Sequence, residues 1–389
     1  MSAAERSDAS RSTSAGGRRT GASRSDGVRR IRARSGLLAL LLTVVLVVAA
    51  CGGGGGDKKA AKTKNSSTTS TTQAPPIAPL TGLPDPTGVS KARPALIIKI
   101  ENTPEARPQT GLESADVVYE EVVDGGITRF FTVFNSTLPE TVGPIRSVRP
   151  IDASLATQLG GLFVYSGGIQ EEIDRISAVP SLIPVNETKA GDAMFRESSR
   201  QAPHNLYGYP EKFFAFGGAP VPPQPLFSYL GAGQTFTGDP VESFTVGQSP
   251  DPGYDPSYTW DATSGTWLRS VRGEPSTMAS GAQIAPTNVV VQFTTYDPQP
   301  GASGATGIVT GSGEVWVFTG GKVAKGTWTR NDPAKPATYT DAAGKPIKLA
   351  PGRTWVELAA FGAQTQVVSP PPPPATAAST STTKAKKSK

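Results

Sequence analysis

Apolar residues recur along the chain in short runs broken by Gly, Pro, Asn and Asp, a punctuation that predicts strands more often than helices. Residues 95–100 form one such run. Residues 116–123 and 128–135 form two more, separated by Asp124-Gly125-Gly126-Ile127, and Asp-Gly between β-rich runs signals a hairpin. Residues 162–165 predict a short buried strand that feeds Ser166-Gly167-Gly168 and then a helical pattern over 169–176. Pro150 suits the first position of another helix running through Leu159, with Asp152 in its first turn. Beyond Phe216 the spacing changes. Gly-Pro stretches at 217–225 and 249–256 punctuate strands at 243–246, 258–260, 266–268, 288–293, 315–318 and 354–358. The pattern predicts an α+β protein: a mixed-sheet α/β first domain over 79–225 and a small β-rich second domain over 240–362.

The ends follow different rules. Residues 37–50 are an uncharged, largely apolar run preceded by the arginine-rich Arg29-Arg30-Ile31-Arg32-Ala33-Arg34. A helix needs about 20 apolar residues to cross a bilayer, so this run is short for a permanent span and has the length of a signal-peptide core. It closes on Val48-Ala49-Ala50-Cys51, the form of a lipobox, in which small residues fit the peptidase and the thiol accepts a diacylglyceryl group. Residues 1–50 therefore read as a lipoprotein signal peptide and Cys51 as the lipidation site. A short transmembrane anchor is the alternative, and it leaves the position of the single cysteine unexplained. Residues 51–78 are dominated by Gly, Lys, Ser, Thr and Pro and read as a disordered tether; residues 366–389 read as a disordered Pro, Ala, Ser, Thr and Lys tail. The expected location is the outer face of the cytoplasmic membrane, after export, with acyl chains as the anchor.

Composition supports this division. Gly (43) and Pro (36) are abundant, as turn-rich β structure and linkers require. The net charge of +6 suggests nucleic acid until it is located: nine arginines against Glu5, Asp8 and Asp26 place it all in the first fifty residues. Lysines in the tether and tail leave the body from about 73 to 368 acidic, so no nucleic-acid surface is expected. One histidine and one cysteine exclude a His/Cys zinc site or a multi-histidine metal centre, and no metal or cofactor is expected.

Three clusters remain as candidate chemistry. His204, in Pro203-His204-Asn205-Leu206-Tyr207, suits a general acid or base if a carboxylate orients it, or a hydrogen-bonded structural role in a loop. Arg146 and Arg149 lie in Gly143-Pro144-Ile145-Arg146-Ser147-Val148-Arg149-Pro150, and Arg149 falls where a helix N-terminus is already positive. An anion is needed there: a ligand, Asp152 or an acid from the hairpin. Glu120 and Glu121 lie inside a strand with apolar residues on both faces, where an unpaired carboxylate is costly. Arg129 on the partner strand is the nearest structural partner for them, with Arg146, Arg149 and Arg196 as longer-range candidates. Ser166-Gly167-Gly168 suits a tight turn and also the backbone cradling of an anion.

These residues, with Glu101-Asn102, residues 106–112, 115–120 and 125–130, and Phe195-Arg196, resemble the YerB-like lipoproteins, the family of domain of unknown function 3048. Its separate C-terminal domain resembles the second half through residues 288–291, 311–314, 326–328 and 351–355. The resemblance spans about 77 to 360 and implies an extracytoplasmic, two-domain lipoprotein without an assigned activity. The chain departs from the family pattern at Tyr165, where histidine is common, and at Glu274-Pro275-Ser276. Two functions are consistent with all of this. One is binding of peptidoglycan, an anionic wall polymer or a wall-synthesis protein through Arg107, Arg129, Arg146, Arg149, Arg196 and His204, with Asn205 and Tyr207 beside them. The other is an envelope hydrolase or transferase in which His204 works with Glu120 or Glu121.

Overall fold

Six parallel strands set the direction of the central sheet. Leu96–Glu101, Gly161–Val164 and Leu182–Val185 are parallel to one another, as are Asn288–Thr294, Thr354–Ala360 and Val117–Val122. Thr128–Phe134 lies between the two groups and is antiparallel to both Leu96–Glu101 and Val117–Val122, so all six parallel strands share a direction. Gly311–Thr319, Lys322–Arg330 and Thr338–Thr340 extend the sheet beyond Asn288–Thr294 as antiparallel strands, and Asp239–Pro240 adds an eleventh.

A computed structural model describes residues 75–248, 255–300 and 302–371, which belong to a single compact unit. The central strands are buried at every position because both faces are covered, and this is why their sequences are near-continuous apolar runs. One face, with Ile98, Ile100, Val118, Phe130 and Trp355, packs on a second, five-stranded sheet through Phe244, Tyr258 and Trp267. The other, with Ile97, Tyr119, Phe131 and Phe163, is covered by the helices Asp152–Thr157 and Gln170–Ser177 and by Phe227, Trp328 and Tyr339.

The α+β class, the hairpin and both predicted helices are present. The expected second domain does not stand apart, however. Asn288–Thr294 and Thr354–Ala360 join the first domain's sheet, with Thr354–Ala360 hydrogen-bonded to Val117–Val122. The expected tether end and tail start also move. Ile77 bridges Pro84 and Ala78 is buried, while Thr365–Val368 is a strand paired with Ser243–Val246. The signal peptide, Cys51, most of the tether and residues 372–389 lie outside the described residues.

Candidate functional site

The shared strand direction brings one set of strand ends together: Glu101 and Asn102, Tyr165 to Gly168, Asn186 and Glu187, and Asp124, with the start of Thr128–Phe134 between them. Open sheets of this kind bind ligands outside the carboxyl ends of their parallel strands. His204 reaches this edge, and its Nδ1 donates to Glu101 Oε2 at 3.0 Å. Arg146 Nε donates to the other oxygen of the same carboxylate, also at 3.0 Å. Glu101 is fully buried whereas His204 and Arg146 are partly exposed, so one buried acid orients two groups that solvent can reach. His204 Nε2 takes no hydrogen bond among the described residues.

Strand register places Arg129 between two acids, opposite Glu101 on one neighbour and Glu121 on the other. Each acid nevertheless takes a different cation. Glu101 is held by Arg146 and His204, and Glu121 by the fully buried Lys99, which also donates to Asp152 Oδ1 at 2.7 Å. Arg129 is left with the Ser147 carbonyl, to which Nη1 donates at 3.2 Å, and its buried Nε has no acceptor. Burial foremost, and then Arg149, lower the Arg129 pKa to about 10. Burial also raises the Glu121 carboxyl, and Asp152 beside it adds to the rise against the pull of Lys99, bringing it to about 7. Near neutral pH this weakens the compensation Arg129 receives from across the strand.

The remaining predicted residues divide between this edge and structural duties. Arg149 Nε lies 3.2 Å from Asp124 Oδ2 in the hairpin turn, and its backbone N–H donates to Asp152 Oδ2 at 2.6 Å. The hairpin thus supplies a counter-charge for its guanidinium and the helix an acceptor for its backbone, while Arg149 Nε itself makes no hydrogen bond. Arg196 pairs with Glu187 at 2.7 Å and with Asn205 Oδ1 at 2.9 Å, while Asn205 Nδ2 ties back to the carbonyls of Glu197 and Arg200. Tyr207 is buried, and a Cβ on Gly143 would meet its ring, so it acts as packing.

The expected pairing of His204 with Glu120 or Glu121 is not what the structure shows. Successive residues of a strand point to opposite faces, and neither glutamate reaches the histidine. Glu121 meets Lys99 on the helix-covered face. Glu120 points to the other face, where both its oxygens accept from Arg269 Nη2 at 2.9 Å and Trp355 Nε1 and Thr128 Oγ1 add bonds. Arg129 therefore partners neither glutamate at ion-pair distance. Arg107 also belongs to that second face, where it donates to Asn102 Oδ1 and to the Asn102 carbonyl. It lines a cavity of about 270 Å³ with Gln109, Arg269 and Ser276. Lys99 and Arg269 do not stand out in the sequence, and Glu101 does so only within the family motif Glu101-Asn102. The burial argument made for Glu120 applies equally to Lys99 and Glu101, at and just beyond the end of the apolar run 95–100.

Comparison with known proteins gives three findings. The family described as "Protein of unknown function (DUF3048)" matches through its N-terminal domain over residues 80–218 and its C-terminal domain over residues 248–356. YerB of Bacillus subtilis (strain 168), whose name marks it as a candidate lipoprotein, is 36% identical over 130 residues. That alignment covers 33% of this chain and spans only 39% of the relative's length. The crystal structure of YerB protein from Bacillus subtilis superposes with a TM-score of 0.64 at 23% identity, covering 75% of this chain and 99% of that one, a likeness of fold.

Proposed function

The chain belongs to the DUF3048 family, carrying both its N-terminal and its C-terminal domain, and from that premise we propose that it is an exported lipoprotein whose body binds an anionic component of the cell wall. The anchor side of this reading rests on the lipobox at Cys51, the short apolar run before it and the lipoprotein name of the relative. It places the body on the outer face of the cytoplasmic membrane, held by diacylglyceryl-cysteine.

The observation that carries the ligand is Arg129. A guanidinium that is 5% exposed, with a buried Nε lacking an acceptor and no acid at ion-pair distance, is costly unless something compensates it. Arg146 and Arg149 stand beside it at a sheet edge where folds of this class take ligands. An anion entering there gains charge-assisted bonds and relieves a cation that no acid meets at ion-pair distance. The test is co-sedimentation of the full chain, in detergent, with purified cell walls before and after their anionic polymers are extracted. Binding is expected to fall on extraction and to be lost in Arg129→Gln. Equal binding to extracted walls, or by the variant, overturns the reading.

One observation favours a second reading, that of a hydrolase or transferase. A buried carboxylate on Nδ1 of a partly exposed histidine, with Nε2 unbonded, is the arrangement that prepares an imidazole to carry a proton. Turnover of chromogenic phosphate or carboxylate esters that disappears in His204→Gln supports it; turnover that persists in the variant removes it.

A further inference from the structure

We propose that the opposite edge of the central sheet carries a second binding site, which takes an aliphatic α-amino acid as its zwitterion. Val117–Val122 and Thr354–Ala360 are parallel neighbours, and both begin at this edge. Thr354 N–H donates to the Asp116 carbonyl at 3.1 Å and Asn288 N–H to the Arg353 carbonyl at 3.1 Å, so the backbone leading into both strands is fixed. The short 3-10 turn Leu112–Ser114, just ahead of the first strand, carries Glu113.

Two cavities adjoin here. One, of about 100 Å³, is walled by Leu112, Ala115, Val118, Met278, Ile284 and Trp355. The other, an open cleft of about 390 Å³, is lined by polar residues that include Ser114, Ser136, Thr137 and Thr287. Glu113 and Arg353 line both, and so stand where the apolar pocket gives way to the polar cleft. An apolar concavity with a few polar groups that fix orientation is the usual form of a small-molecule site. The outer wall is held in place by its own bonds: Met278 N–H donates to the Ala282 carbonyl at 2.9 Å, Ile284 N–H to the Ser276 carbonyl at 2.8 Å, and Ala279 N–H to the Gln109 carbonyl at 2.8 Å.

Size and charge select the ligand. An apolar cavity of roughly 150 Å³ takes benzene, so the smaller pocket here suits an aliphatic side chain better than an aromatic one. Among the described residues, neither the Glu113 carboxylate nor the exposed Arg353 guanidinium makes a hydrogen bond or ion pair. Glu113 Oε2 is shut off from solvent as well as unbonded, which is costly for a carboxylate until a cation meets it. Asp116, the other acid of the cleft, is engaged: it accepts from the N–H groups of Asn135 at 2.5 Å and Ser136 at 2.8 Å. One carboxylate and one guanidinium thus flank the mouth of an apolar pocket. An ammonium on Glu113 and a carboxylate on Arg353 leave the side chain of the carbon between them to enter the pocket. A ligand with a single charge uses only one of the two groups.

The test titrates the full chain in detergent calorimetrically with L-leucine, L-phenylalanine, leucinamide, which lacks the carboxylate, and 4-methylpentanoate, which lacks the ammonium. L-leucine is expected to bind one to one, and both truncated analogues at least about tenfold more weakly, since each forfeits a hydrogen bond to a charged group. L-phenylalanine is expected to bind about tenfold more weakly or worse, because the ring overfills the pocket. Glu113→Gln is expected to weaken leucine about tenfold and leave 4-methylpentanoate as in the parent; Arg353→Gln is expected to weaken leucine similarly and leave leucinamide unchanged. A general loss of folding would weaken every ligand, so these selective patterns report on the two contacts themselves. Absence of leucine binding overturns the site. Equal binding of leucine and both truncated analogues overturns the zwitterion assignment, and phenylalanine binding as tightly as leucine overturns the aliphatic one. Unchanged leucine binding in either variant removes that residue from the site and overturns the paired-charge account.

Discussion

Glu121 shows how a single residue ties burial to pH. Its folded pKa, about 7, lies above the ordinary value of 4.5, so the fold prefers its protonated form. Stability from this group is therefore full below about 4.5 and is lost as pH rises through about 7. Asp116, Glu172 and Glu357 are shifted the same way by burial, and Asp85, lowered to about 2, changes only below that window. The melting temperature is expected to rise as pH falls from about 7.5 to about 5. Glu121→Gln, which keeps an oxygen for Lys99, is expected to flatten that slope; a variant with the parent's slope would show that Glu121 is not its source. From sequence, the buried carboxylates Glu120 and Glu121 stand out because charge inside an apolar run is costly. Which cation answers each one does not, because Lys99 and Arg269 are brought in by strand pairing and sheet packing.

Among the elements, the pairing of Glu120 with Arg269 joins the central sheet to the strand Thr266–Val271 of the smaller one. The guanidinium lies near the rings of Phe130 and Trp355, and Nη1 also donates to Ser276 Oγ at 2.8 Å. Removing one partner of a buried pair typically costs roughly 3 to 5 kcal/mol, because the other charge stays behind. Arg269→Ala is expected to lose stability on that scale in urea unfolding, while Arg196→Ala, whose ion pair with Glu187 is largely exposed, should lose about 1 kcal/mol or less. Comparable losses in both would contradict this account of the second face. Strands with apolar runs and a Gly-marked hairpin were legible element by element. Lys322–Arg330 was not, since its alternating exposure and interior Gly326 leave a weak apolar signal, and it is held by pairing with Gly311–Thr319.

For the whole molecule, sequence spacing marked two segments but could not show that they build one sheet, because parallel pairing between Val117–Val122 and Thr354–Ala360 joins residues far apart in the chain. That sheet creates the site: it aligns the strand ends carrying Glu101, Asp124 and Glu187 and sets Arg129 among them. The membrane side of the account rests on Cys51. Cys51→Ala is expected to lose labelled palmitate and leave the membrane fraction, and a variant that still takes up label would contradict the lipobox. Arg129, buried with no acid at ion-pair distance, is proposed to receive the anion, and its Nε–H resonance reports on that directly. Titrating the full chain in detergent with soluble anionic wall fragments is predicted to shift that resonance saturably, with smaller shifts at Arg269. An Arg129 signal that stays fixed while the fragments bind elsewhere would contradict the account.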